Sequence, residues 1–245
     1  MSEELAPVCI LAGGLGTRLG DQAERVPKAL IEVAGAPFIF HQLTLLRSYG
    51  ARRIVVCIGH LGEQIEQTVG DGGELGLDVS YSHDGPAPVG TAGAIRQALP
   101  DLGEFFLVLY GDTFLRIDYR AVQRAFESAG LPALMTVLRN QGRWDTSNTN
   151  FAAGRVITHD KRHPTPDMHW IDYGLGVMSA AAMRGVRPEA SDLSDVYGEL
   201  ARRGELAGFE ATERFYEIGT PGALAETDAF LRERAGGLSE PPQPR

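Results

Sequence analysis

Cysteine is scarce in this chain: Cys9 and Cys57 are the only two, each inside an apolar run. That excludes a disulfide framework and a cysteine metal cluster, and leaves two buried thiols in a reducing compartment as the expectation. Positive charge is short as well. The 23 basic residues stand against 32 acidic ones, for a net charge of −9 and a pI near 5.2. A surface of that sign gains nothing by displacing counterions from nucleic acid or from an anionic membrane. No apolar stretch approaches the roughly 18 residues of a membrane span, and Met1-Ser2-Glu3-Glu4 carries neither the basic nor the apolar part of a secretion signal. A soluble cytoplasmic protein is expected, with no nucleic-acid or membrane partner. No Gly-Lys pair occurs, which excludes a P-loop. The histidines His159, His163 and His169 lack metal-ligand regularity and read as loop residues.

What is present is a globular composition, 43% apolar and 22% charged over 245 residues, enough for one substantial core. One domain over 1–235 is the simplest organisation, because 236–245 has the Gly- and Pro-rich composition of a disordered tail. Val8 to Ala12, Arg53 to Gly59 and Phe105 to Tyr110 are dominated by apolar residues, the pattern of strands buried on both faces. Between them Phe38 to Tyr49, Gly62 to Val69 and Thr91 to Leu99 read as helices, and Leu77 to Ser82 alternates like a half-buried strand. This β-α-β-α succession predicts an α/β fold, a Rossmann-like, mostly parallel twisted sheet with helices on both faces. Ala133 to Leu138, a stretch around Thr149 to Thr158 and Tyr173 to Ser179 read as further strands. Helices are expected near Asp192 to Arg203 and Pro221 to Arg234.

Ligands of such sheets sit beyond the carboxyl ends of the strands. There the chain places Leu11-Ala12-Gly13-Gly14-Leu15-Gly16-Thr17-Arg18-Leu19, with Pro27-Lys28 further along. A backbone bare of side chains can turn successive N–H groups onto an anion, while Arg18 and Lys28 neutralise more of its charge. The expected ligand is a nucleoside triphosphate. A dinucleotide fingerprint starting at Gly14 would need glycine where Leu19 stands. A tight turn with solvated basic residues is the plainer alternative. Gly111-Asp112 follows the most apolar strand at the same mouth, where a carboxylate suits a hard cation such as Mg2+, or simply caps a turn before Thr113.

The glycine turn Gly13-Gly14-x-Gly-Thr-Arg, then Val26-Pro27-Lys28-Ala29-Leu30 and Val33-Ala34-Gly35-Ala36-Pro37-Phe38-Ile39, together resemble the signature of the sugar-1-phosphate nucleotidyltransferases. The resemblance implies the nucleotide-diphospho-sugar transferase fold with a small strand-rich sugar-binding lobe. It also implies a nucleotide-binding turn of Leu11, Ala12, Gly13, Gly14, Gly16 and Thr17, and catalysis by Arg18, Lys28 and Asp112 with Mg2+ as cofactor. Gly111 joins the nucleotide contacts. The segment Asp84 to Ile95 resembles the family's base loop, so Asp84, Gly90 and Thr91 are expected on the nucleotide. Helix N-terminal amides suit an anion or a base carbonyl there, and Thr91 as a plain helix cap is compatible with that role. Phe215 to Pro221 resembles the late metal-binding motif, with Glu217 where an Asp normally stands. Its extra methylene moves the carboxylate outward by about one bond length, which favours contact through water. On the sugar-phosphate side Asn148 and Asn150 offer neutral amides of the kind that bind hydroxyls, Asp160-Lys161 resembles the family's acid-lysine pair that meets the sugar phosphate, and Asp172 and Gly174 align with a segment lining the sugar pocket. Each alone is more often a turn or surface feature.

The implied reaction transfers a nucleoside monophosphate to a sugar 1-phosphate. Gly90 to Gly93 and Gly111 to Phe114 look most like the branch of heptose and mannose 1-phosphate guanylyltransferases, which favours GTP, a heptose or hexose phosphate, and a place in capsule or lipopolysaccharide supply. Uridylyltransferases of amino-sugar or muramic-type phosphates are the alternative. A glycosyltransferase would show Asp-x-Asp, whereas Asp112-Thr113-Phe114 lacks the second acid. A non-catalytic nucleotide-sugar sensor is suggested by Glu217 and opposed by Arg18, Lys28 and Asp112 standing together. A homodimer is compatible with all of these.

Overall fold

A computed structural model of the chain describes residues 4–14, 25–187, 189 and 191–236. Gly16, Thr17 and Arg18, expected at the nucleotide, lie outside the described residues, as does the expected tail beyond Gly236.

The chain begins with β1 (Val8–Leu11), a short hairpin of β2 (Glu32–Val33) and β3 (Ala36–Pro37), α1 (Phe38–Ser48), β4 (Arg53–Ile58) and α2 (Gly62–Val69). Next come β5 (Asp78–His83), α3 (Gly90–Leu102), β6 (Phe105–Tyr110), β7 (Thr113–Leu115) and α4 (Tyr119–Ala129). The second half contributes β8 (Ala133–Arg139), β9 (Thr149–Ala152), β10 (Arg155–His159), β11 (Trp170–Ser179), α5 (Ala180–Gly185) and α6 (Leu193–Arg202). It closes with β12 (Leu206–Ala211), β13 (Phe215–Glu217) and α7 (Pro221–Gly236).

Nine strands form one sheet in the order β5-β4-β1-β6-β11-β8-β12-β10-β9. The first four are parallel and reverse their direction of travel between β1 and β6, so a crevice opens beyond the carboxyl ends of those two strands. The rest is mixed: β11 runs antiparallel to both β6 and β8, and β12 runs parallel to β8. The strand-rich second half completes this same sheet, and its β9–β10 hairpin forms the far edge.

Period-2 alternation explains the layers. Val8, Ile10, Ile54, Val56, Leu107 and Leu109 face α1, α2 and α4, while Cys9, Val55, Cys57, Phe106 and Val108 face α3, α5 and α6. Phe106 to Leu109 are at most 2% exposed, and each such side chain contributes about 1.5–3 kcal/mol by leaving water. The two cysteines are buried free thiols with sulfurs 3.5 Å apart. His159 departs from the loop reading: it ends β10, is buried, and joins Thr149 Oγ1 (2.8 Å) to Ser194 Oγ (2.8 Å). Burial pushes its pKa down to about 4 and keeps the ring neutral. Among the described residues no helix is long and apolar enough to cross a membrane.

Candidate active site

The crevice between β1 and β6 is built by the close approach of three strand ends. Ala12 N–H donates to Cys57 O (2.9 Å) and Gly111 N–H to Leu11 O (2.9 Å), so the residues after three strands meet. Glycine is required at the Gly111 crossing, and at Gly13 a side chain would be tight. A Cβ on Gly13 would press on Asp84 Oδ2 and Gly59 N at 3.3 Å, and one on Gly111 would stand 2.7 Å from Leu11 O and 3.0 Å from the Ala12 Cα. Because the obstacle at Gly111 is backbone, Gly111→Ala is expected to cost about 1–3 kcal/mol. At this chain length a thermal melt should show a loss of roughly 2–4 °C per kcal/mol; a melt equal to that of the wild type would refute the crossing.

Leu11, Ala12, Gly13, Gly14, Lys28, Asp84, Gly90, Thr91, Gly111 and Asp112, all predicted from the sequence, line one cavity of about 380 Å³ at this crevice. Lys28 opens a single 3-10 turn after Pro27, and its Nζ lies 2.5 Å from Asp112 Oδ2, with the two side chains 14% and 30% exposed. Glu217 is brought to the same place by pairing of β13 with β7, where it stands opposite Thr113 while Ile218 N–H donates to Asp112 O (3.0 Å). A Cβ on Gly219 would lie 2.7 Å from Glu217 Oε2 and 3.3 Å from Lys28 Nζ, so both groups converge on that bare backbone. Two carboxylates and an ammonium thus gather at one end of the cavity.

At the other end stands the loop before α3. Asp84 Oδ2 packs on Gly13 and Gly59, while its Oδ1 is buried and has no hydrogen-bond partner among the described residues. Burial raises its pKa, opposed by a bond from the Val89 backbone. Gly90 has φ +75°, and a side chain there would collide with the Ser191 carbonyl. Thr91 does not cap its own helix, which starts at Gly90 without a side-chain cap; its Oγ1 accepts from Leu193 N–H (2.7 Å) and ties α3 to the start of α6.

None of the residues expected on the sugar-phosphate side lines this cavity, and four of them, Asn148, Lys161, Asp172 and Gly174, meet beside it. Asn148 is buried, its Oδ1 accepting from Thr149 Oγ1 (2.9 Å) and Asp172 N–H (3.3 Å), so it braces backbone. Asn150 donates to Asp167 Oδ2 (3.0 Å), away from the cavity. Lys161 pairs with Asp172 (3.3 Å), and Gly174, at φ +107°, lets β11 pass close to the Tyr110 ring. Sequence reasoning missed Tyr110, whose ring lines the cavity, and Gln42, whose Nε2 donates to Tyr110 O (2.9 Å) and Thr113 O (2.8 Å). Gln42 thereby fixes both ends of the Gly111-Asp112 segment. A polar residue on the apolar face of α1, beside Ile39, Leu43 and Leu46, was its signal.

Strand order, the switch-point cavity and its glycine-lined rim define an α/β protein with the nucleotide-diphospho-sugar transferase fold. A family model described as Nucleotidyl transferase matches residues 8–148, and the chain belongs to that family. An N-acetylmuramate alpha-1-phosphate uridylyltransferase of Neisseria meningitidis is 42% identical over 121 residues, covering 49% of this chain and 51% of that protein. The mannose-1-phosphate guanylyltransferase catalytic subunit beta of Danio rerio is 25% identical over 219 residues, 86% of this chain and 61% of that one. The chain therefore spans between half and three-fifths of these relatives. The solved inositol-1-phosphate CTP transferase of T. maritima shares the fold with a TM-score of 0.76 at 18% identity, over 96% of this chain and 99% of that one.

Proposed function

We propose that the protein transfers a nucleoside monophosphate from a triphosphate to a sugar 1-phosphate. An oxygen of the sugar phosphate attacks the α-phosphorus, the bond to the bridging oxygen breaks, and pyrophosphate leaves with the electron pair. A phosphate oxygen is already anionic and needs no general base, so the protein has only to align the two substrates and neutralise charge. The observation that carries this reading is the Lys28–Asp112 pair at the rim of a glycine-walled cavity. Lys28 is placed to meet a phosphoryl oxygen when it exchanges its bond to Asp112 for the substrate. Arg18 is assigned to the leaving pyrophosphate, and Lys161 to the sugar phosphate.

Asp112 and Glu217 fit Mg2+, which takes one or two carboxylates beside phosphate oxygens, and among the described residues no group of three or more His, Cys, Asp or Glu suggests another metal. When bound, the ion would add positive charge to the phosphates.

GTP is the triphosphate we favour, with a heptose or hexose 1-phosphate. Support for GTP is the resemblance of Gly90 to Gly93 and Gly111 to Phe114 to the guanylyltransferase branch. The second reading is a uridylyltransferase of an amino-sugar or muramic-type phosphate, supported by the 42% identity to the Neisseria protein. Pyrophosphate release measured over a grid of triphosphates and sugar 1-phosphates with Mg2+ decides. Highest turnover with GTP is expected, highest turnover with UTP selects the second reading, and none with any pair sinks the transferase.

A further inference from the structure

Asp172 is where Asn148, Lys161 and Gly174 of the sugar-phosphate side meet. Its side chain is 4% exposed, and both oxygens are engaged. Oδ2 accepts from the Tyr110 hydroxyl (3.2 Å) and from Lys161 Nζ (3.3 Å), and Oδ1 accepts from the Gly174 N–H (3.0 Å). A carboxylate so enclosed offers no face to a sugar hydroxyl.

Its partners are informative. Tyr110 ends β6, directly before Gly111-Asp112, and its ring is wall of the nucleotide cavity. Lys161 follows β10 and holds its ammonium 5.5 Å from the centre of that ring. Gly174 sits where β11 slips register against β8 between Asp172 and Gly176, and the slip lets the strand fold its own N–H onto the carboxylate. Burial pushes the Lys161 pKa down, but the surrounding carboxylates, Asp172 first and then Asp192 and Asp145, together raise it above the ordinary lysine value. The Lys161 side chain itself is 41% exposed, so its outer side stays open to an incoming anion.

We propose that Asp172 is a positioning residue: without touching substrate, it clamps Lys161 against Tyr110 so that a cation of fixed direction faces the sugar phosphate from beside the Tyr110 ring. This rests on the transferase reading above. An unclamped lysine has several rotatable bonds and would meet the phosphate in few of its conformers.

The test is a kinetic double-mutant cycle with Asp172→Asn, Lys161→Met and the double variant, read as pyrophosphate release. Asp172→Asn, similar in shape but uncharged, is expected to raise KM for the sugar 1-phosphate about ten- to a hundredfold, with KM for the triphosphate within about threefold. The double variant should be no worse than Lys161→Met alone, because the clamp acts only through that lysine. Tyr110→Phe, which removes one donor and keeps the ion pair, should give a smaller rise in the same KM and serves if Asp172→Asn does not fold. Penalties that multiply in the double variant, or equal rises in both KM values, would overturn the clamp while leaving the transferase standing. Absence of turnover by the wild type overturns both.

Discussion

Replacing Lys28 by alanine should lower kcat for pyrophosphate release by about a thousandfold, the scale on which a charge-stabilising donor at a transferred group is usually felt, and leave the melting temperature within a few degrees. The first half follows from position. Lys28 Nζ is the described cation at the rim where Asp112, Glu217 and bare Gly219 converge, and charge spread over phosphoryl oxygens in the transition state has to be met by a group already in place. The second half follows from context: the turn that carries Lys28 is held by backbone bonds, Leu30 N–H to Pro27 O (2.8 Å) and Ile31 N–H to Lys28 O (3.1 Å), that the substitution does not touch. Lys28→Arg should recover little, since a planar fork is larger than the ammonium that fits 2.5 Å from Asp112. Steady-state kinetics beside a thermal melt checks this, and near wild-type kcat in Lys28→Ala would remove the lysine from the chemistry.

Much of the first half of the fold was legible because buried parallel strands leave an unmistakable trace. Phe105–Tyr110 and Gly62–Val69 have the predicted bounds, and the remaining early elements differ by a residue or a few at their ends. Direction was less visible. The apolar run Tyr173 to Ser179 has the same composition whether it pairs parallel or antiparallel, and only the topology makes β11 antiparallel to its neighbours. Among the elements not read are α4 and β12. In α4 only Tyr119, Val122, Gln123 and Phe126 are buried, a narrow stripe among Arg120, Arg124 and Glu127. In β12, Gly208 reads as a breaker, yet it is there because the Phe151 ring lies against the strand, within 2.5 Å of where a Cβ would stand.

The candidate site divides along the same line. The described residues expected on the nucleotide sit mostly at or just after strand ends, with Gly90 and Thr91 opening α3, so sequence position and spatial position largely coincide. The sugar-phosphate residues depend on partners far along the chain, Asn148 with Asp172 and Asp172 with Tyr110, 24 and 62 residues apart. No local pattern encodes such pairings. His159 shows the same limit, since its partners Thr149 and Ser194 lie 10 and 35 residues away and burial keeps its ring neutral.

Asp112→Asn is expected to cost at least as much as the loss of Lys28, about a thousandfold or more in kcat. Asparagine keeps the shape, the Gly111 crossing and the carbonyl that accepts from Ile218 N–H, so the fold should persist and the loss should be chemical. What disappears is a full negative charge beside Lys28, and, on the proposed Mg2+ site, one of the two carboxylates assigned to the ion. Glu217→Gln provides the contrast. If Glu217 meets the cation through water, its loss should be smaller, about ten- to a hundredfold, and should appear mainly as a higher Mg2+ concentration for half-maximal rate. Titrating Mg2+ against both variants separates the roles: Asp112→Asn should stay slow at saturating metal, whereas Glu217→Gln should recover most of its rate. Recovery of Asp112→Asn at high Mg2+ would reverse the ranking and make Glu217 the principal ligand.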